Sequence, residues 1–181
     1  MIALVGLPGA GKSTVGRLLS KRLGLPFADS DHEIEVRLGV PIREFFAVEG
    51  EERFRDIETQ ELERLTKGFD GVLSTGGGIV LRPQNREYLK QRCRVVYLRA
   101  SPEELFKRLR NDQVRPLLQV ADPLQKLKEL HDARDHWYQE VAHVVIETGR
   151  PSKMALVNSI IQALGLKAAP DTHSTNHFSN P

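Results

Sequence analysis

One cysteine in 181 residues, Cys93, excludes an internal disulfide framework and any multi-cysteine metal centre. Its scarcity fits a reducing compartment, and a buried, inert thiol is its expected state. Charge of one sign is also missing. Lys plus Arg number 26 against 24 Asp plus Glu, a net +2, which argues against a general nucleic-acid binder. No apolar run approaches the roughly 18 residues of a membrane-spanning helix, and the chain enters its first apolar stretch without a signal-peptide pattern. The expectation is a cytoplasmic protein that does not engage membranes. The six histidines, His32, His131, His136, His143, His173 and His177, form no array of zinc type. There is no internal repeat and no Asn-Lys-x-Asp guanine-reading motif, so a GTP switch is disfavoured.

What is present starts at Gly6-Leu7-Pro8-Gly9-Ala10-Gly11-Lys12-Ser13-Thr14, which matches G-x-x-x-x-G-K-[ST]. The apolar run Ile2 to Val5 precedes it, and Val15, Leu18, Leu19 and Leu23 follow at helical spacing. A strand therefore feeds the loop and a helix leaves it. In that context the N–H groups of Gly9 to Thr14 can surround phosphate oxygens, with the helix N-terminus favouring the anion. Lys12 can reach the terminal phosphates and Ser13 can ligate Mg²⁺.

Further along, Phe27-Ala28 is a short extended piece running into Asp29-Ser30-Asp31. Alternation in an extended chain puts both carboxylates on one side, and Asp31 reads as the cap of a helix to Leu38. Locally, a cap and a carboxylate facing a cleft are both open readings for Asp31. Pro41 to Ala47 reads as a helical turn, and a long helix opens near Glu49-Gly50 and runs to about Lys67. Arg55, in its first turn, is unfavourable for the helix dipole unless paired with Glu51 or Glu58. Gly71 to Leu73 is a strand ending in Thr75-Gly76-Gly77-Gly78, glycines suited to letting a ligand approach bare N–H groups. That strand lacks a metal-binding aspartate, and Asp29 is the nearest substitute for holding Mg²⁺ through water.

Helices are expected from Pro83 to about Gln91, from Pro102 to about Arg110 with a Ser101/Glu104 capping box, and from Pro123 through Tyr138. A strand at Arg94–Leu98 and another at Ala142–Ile146 complete the sheet, and Ser152 caps a final helix. Trp137 and Tyr138 read as core packing at a helix end. Residues 111 to 120 interrupt the pattern at an Arg-Pro step and read as a mobile lid bringing Arg108 and Arg115 as cations, or as a plain surface loop. The domain is expected over residues 1 to 166, with a disordered tail over 167 to 181.

Alternating strands and helices with right-handed crossovers give an α/β fold: a mostly parallel sheet with helices on both faces and one crevice at the strands' carboxyl ends. There the phosphate loop, Asp29, Asp31, the glycines and Arg115 share a mouth. A phosphoryl transferase needs these parts, and Arg55 and Arg134, not needed by the nucleotide, imply a small acidic alcohol as acceptor.

In order and spacing, Gly6 to Thr14, Asp29-Ser30-Asp31, Gly50-Glu51-Glu52-Arg53-Phe54-Arg55, Thr75 to Gly78, Val114-Arg115-Pro116-Leu117-Leu118 and Arg134 followed by Tyr138 to Ala142 resemble shikimate kinase. The resemblance covers roughly residues 1 to 165. It implies a three-layer P-loop kinase with a five-stranded parallel sheet and a lid, ATP and Mg²⁺ as cofactors, and phosphorylation of the 3-hydroxyl of shikimate on the route to chorismate and the aromatic amino acids. It also implies that Asp31, Arg55, Gly77 and Arg134 bind shikimate beside Gly76 and Gly78, with Phe46 and Phe54 walling the ring. Lys12, Asp31 and Arg115 would be catalytic, and Arg108, Arg115 and Arg150 would join the phosphate loop on ATP. A monomer is expected. His136-Trp137 stands where the family usually has Pro-Leu. Gluconate kinase is the nearest alternative, and the Thr75 to Gly78 block and the setting of Arg55 favour shikimate.

Overall fold

Four consecutive apolar residues, Ile2–Val5, form β1 and are all buried, the pattern of a central strand covered on both faces. In the computed structural model, which describes residues 1–109 and 120–169, β1 is the middle of a five-stranded sheet. The other strands are β2 (Phe27–Asp29), β3 (Val72–Ser74), β4 (Arg94–Arg99) and β5 (Val144–Glu147). All pairings are parallel, in the order β2-β3-β1-β4-β5. β5 alternates half-buried and exposed residues, as an edge strand should.

From β1 the chain runs to one edge through α1 (Lys12–Leu23), then reverses direction through α2 (Ser30–Leu38) and α3 (Ile42–Gly68) to reach β3. Right-handed crossovers therefore place α1 on one face and α3 on the other. The later crossovers continue in the second direction, so α4 (Pro83–Arg92), α5 (Pro102–Leu109) and α6 (Pro123–Val141) join α3, while α7 (Lys153–Ala163) returns to pack on α1. This is the three-layer α/β arrangement expected from the sequence. Among the described residues no helix is long and apolar enough to cross a membrane.

The caps show how local chemistry sets boundaries. Ser101 and Glu104 form the reciprocal capping box of α5, at 3.2 and 3.1 Å, and Ser152 accepts from the Ala155 N–H at the start of α7. At α2 the expectation is corrected. The cap is Asp29, whose Oδ1 accepts from the Asp31 N–H at 3.1 Å, because β2 ends at Asp29 and Ser30 is already helical. Asp31, inside the first turn, is free of that duty. The last strand starts two residues later than expected, since α6 continues to Val141 and His143 is tied to β4 by Nδ1 accepting from the Val95 N–H.

α3 is two helical segments joined at Gly50, whose φ of 81° and ψ of 172° lie outside helical conformation. The expected division near that residue is the one observed. Cys93 is buried, and burial pushes its thiol up to about 11. The expected lid, with Arg115, lies outside the described residues, as does the expected tail from residue 170 onward. Residues 167–169 belong to no helix or strand, and the Ala169 N–H donates to Arg22 O at the end of α1.

Candidate active site

The carboxyl ends of β1, β2 and β3 open into a cavity of about 1250 Å³. Its floor is the loop between β1 and α1. Gly11, the residue before α1, has φ 94° and offers no side-chain cap, so the first N–H groups of the helix remain available to an anion. Lys12 is buried and its ammonium arches over the loop, donating to Gly6 O at 2.8 Å and Leu7 O at 3.0 Å. Gly9 through Thr14 all line the cavity.

Beside the loop, Ser13 Oγ donates to Asp29 Oδ2 at 2.7 Å and lies 3.2 Å from Ser74 Oγ. Asp29 thus uses one oxygen to cap α2 and the other to meet the phosphate loop. Two residues on, Asp31 faces the cavity with its carboxyl pushed up to about 6. Burial is the main cause, the carboxylates of Asp29 and Glu58 add to it, and Lys12 opposes it.

The far wall is built by α3. Arg55 donates through Nη1 to Glu58 Oε2 at 2.7 Å and through Nη2 to Glu51 Oε1 at 3.2 Å. The two carboxylates differ in setting: Glu58 is 1% exposed and Glu51 63%. Burial raises the Glu58 carboxyl and Arg55 works against that rise. Phe46 and Phe54, from the two segments of α3, meet with ring centroids 4.6 Å apart.

The glycines after β3 have no room for a side chain. A Cβ on Gly76 would lie 2.6 Å from Asp31 Oδ1, and one on Gly78 would overlap Arg55 Nη1. Gly77 O accepts from Arg134 Nη1 at 3.2 Å and from Tyr138 OH at 2.5 Å. On the opposite side, Arg108 donates to Thr148 O at 2.5 Å and to Thr148 Oγ1 at 3.1 Å.

Residues distant in sequence are therefore gathered on one cavity: the phosphate loop, Asp29, Asp31, Phe46, Phe54, Arg55, Gly76 to Gly78, Arg108 and Arg134 all line it. Arg150 does not; it is exposed, although Gly149 and Pro151 on either side of it contribute to the lining. Sequence reasoning passed over Glu35, Arg43, Glu58 and Thr148 as lining residues. Glu58 was open to inspection as the helical neighbour of Arg55, and Tyr138 as that of Arg134, at spacings of three and four.

A parallel sheet with a phosphate loop at the end of its central strand, faced by a half-buried carboxylate and two arginines, defines a P-loop kinase of small molecules. The family whose sequence model matches, over residues 8–165, is described as shikimate kinase. Curated relatives agree with it: shikimate kinase of Ralstonia nicotianae is 54% identical over 163 residues, 90% of this chain and 86% of that protein. Shikimate kinase of Burkholderia thailandensis is 54% identical over 172 residues, 93% and 94% of the two chains. Among solved structures, shikimate kinase from Acinetobacter baumannii in complex with shikimate superimposes with a TM-score of 0.86 at 49% identity, covering 90% of this chain and 91% of that one. The chain belongs to the shikimate kinase family. Its reaction is the ATP-dependent phosphorylation of shikimate in aromatic amino acid biosynthesis.

Proposed function

We propose that the cavity holds ATP on the phosphate loop and shikimate between Asp31, Arg55 and Arg134, and that Asp31 is the base for the 3-hydroxyl. The observation that carries this is Asp31 itself: a cavity-facing carboxyl, pushed up to about 6, relieved of helix capping by Asp29 and lying within one turn of the phosphate loop's partner. A base in that range is ionised at neutral pH yet retains affinity for a proton.

As the shikimate 3-oxygen bonds to the γ-phosphorus of ATP, the bond from that phosphorus to the β-bridging oxygen breaks, ADP leaves, and the hydroxyl proton passes to Asp31. The N–H groups of Gly9 to Thr14 hold the phosphates in place. Lys12 exchanges the carbonyl oxygens of Gly6 and Leu7 for phosphate oxygens, where its charge offsets the charge on the moving group. Arg115 is assigned to the same phosphates through its Val114 to Leu118 motif. Arg108 and the turn at Gly149 and Pro151 to Lys153, which line the same cavity, are assigned to the nucleotide as well.

The cluster of Ser13 Oγ and the Asp29 carboxylate suits Mg²⁺, a hard cation that takes oxygen ligands and is commonly held by one or two side chains together with substrate phosphates. Ser13 would hold it directly and Asp29 through water, and when bound it neutralises charge on the β- and γ-phosphates.

On the acid side, Arg55 and Arg134 present guanidinium forks to the shikimate carboxylate, while Phe46 and Phe54 cover the ring. The glycines bring main-chain N–H groups close without a Cβ in the way. The test is an ADP-release assay with shikimate, quinate and gluconate in parallel. Turnover with shikimate and little with gluconate is expected, and equal turnover with all three would overturn the assignment of the acid pocket.

A further inference from the structure

Gly77 O accepts two donors from one face of α6, Arg134 Nη1 and, one turn later, Tyr138 OH. The two donors differ. Arg134 lines the cavity and carries the charge proposed above to meet the substrate carboxylate. Tyr138 is 0% exposed, stands behind the glycine loop, and has its phenol pushed up to about 12 by burial, so it stays a neutral donor at every working pH.

Tyr138 is also fixed from below. Its ring packs on Tyr97 at 5.0 Å between centroids, and Tyr97 OH donates to Asp135 Oδ1 at 2.7 Å. Asp135 is held in turn by Arg99 and Gln139. This locks α6 against β4, so the phenol approaches Gly77 from one direction only.

We infer that Tyr138 is a positioning residue for acid binding: its hydroxyl keeps the Gly77 carbonyl paired when Arg134 turns from that carbonyl to the substrate carboxylate. A buried carbonyl left without a donor carries a desolvation penalty. If Arg134 were the sole donor, every binding event would incur that penalty, and the guanidinium would be held back on Gly77. With Tyr138 present, the second lone pair stays satisfied and Arg134 moves at little cost. The same bond fixes the plane of the Gly77–Gly78 peptide. The carbonyl and the N–H of a trans peptide are antiparallel, so anchoring Gly77 O from behind turns the Gly78 N–H toward the cavity. Neither the Gly77 nor the Gly78 N–H has a partner among the described residues.

The inference rests on Arg134 serving the carboxylate, and the experiment separates the two. Tyr138→Phe keeps the ring and removes one oxygen. It is expected to raise the shikimate KM roughly tenfold, leaving the ATP KM and kcat at saturation within about twofold. Its thermal midpoint should stay close to that of the parent enzyme. In an Arg134→Ala background the same substitution should raise the shikimate KM far less, because no donor is then withdrawn from Gly77 on binding and only the fixing of the Gly77–Gly78 peptide is lost. An unchanged KM in the single variant overturns the inference, as does an equal rise in the KM of both substrates, or the same KM rise with and without Arg134. If Arg134→Ala alone leaves the shikimate KM unaltered, it is the carboxylate assignment that fails.

Discussion

Ser13 and Asp29, sixteen residues apart, share a 2.7 Å hydrogen bond between hydroxyl and carboxylate, while the other Asp29 oxygen caps α2. One side chain thus ties the phosphate loop to the helix that carries Asp31. Asp29→Asn keeps an acceptor for the Asp31 N–H but loses the charge, whereas Asp29→Ala loses both. Both variants should need several-fold more Mg²⁺ for half-maximal rate, measured by titrating the metal at fixed ATP. Only the alanine variant should also lose about 1 kcal/mol of stability, the typical contribution of a helix cap, measured by denaturant unfolding.

Asp31 predicts opposite effects on rate and stability. As a base it must be ionised, so turnover should rise with pH through about 6, and Asp31→Asn should lower kcat by two or more orders of magnitude and abolish that limb. For stability the sign reverses. An acid held above its ordinary 3.8 binds its proton more tightly in the folded state, so its effect is absent below that value. Stability is then lost as pH rises from about 4 to about 6. Asp31→Asn should therefore be more stable than the parent at pH 8, by about 1–3 kcal/mol, with the difference vanishing near pH 4; thermal unfolding across that range checks it.

Gly78→Ala places a methyl group where Arg55 Nη1 lies. The guanidinium must shift, and with it half of the proposed acid clamp. A rise of at least tenfold in the shikimate KM is expected, with the ATP KM little changed, measured by varying each substrate at saturation with the other. Gly76→Ala crowds Asp31 at 2.6 Å and should instead lower kcat.

Arg55 pairs with Glu58 and is proposed to hold the acid, two duties that substitutions can divide. Arg55→Lys retains a cation for the buried Glu58 but loses the planar fork, so the shikimate KM should rise about tenfold with modest loss of stability. Arg55→Ala strands Glu58 without its nearest cation and should cost about 3 kcal/mol besides weakening the acid. Equilibrium unfolding of the two variants, set beside their kinetics, distinguishes the roles.

The parts of this protein that were legible in its sequence are those written in local patterns. The glycine-lysine loop after Ile2–Val5, the capping box at Ser101 and the break near Gly50 all follow from spacing and backbone chemistry, and resemblance added the acid clamp. What escaped depended on exact element ends or on tertiary contact. Asp31 read as a cap because the extended piece was carried two residues beyond the true end of β2, at Asp29. Tyr138 read as plain core because its phenol partner, Gly77, is 61 residues away and is revealed only when α6 lies against the glycine loop. Glu58 was visible as a helical neighbour of Arg55, but nothing local shows that it is buried.

Gly50 carries a consequence for how the acid pocket is roofed. No atom stands within 4 Å of where its Cβ would be, so a side chain there would collide with nothing. Its constraint is torsional: at φ 81° only glycine is comfortable, and any other residue would favour running the two segments of α3 into one straight rod. Phe46 would then swing off Phe54, and the cavity would lose the wall the two rings make together.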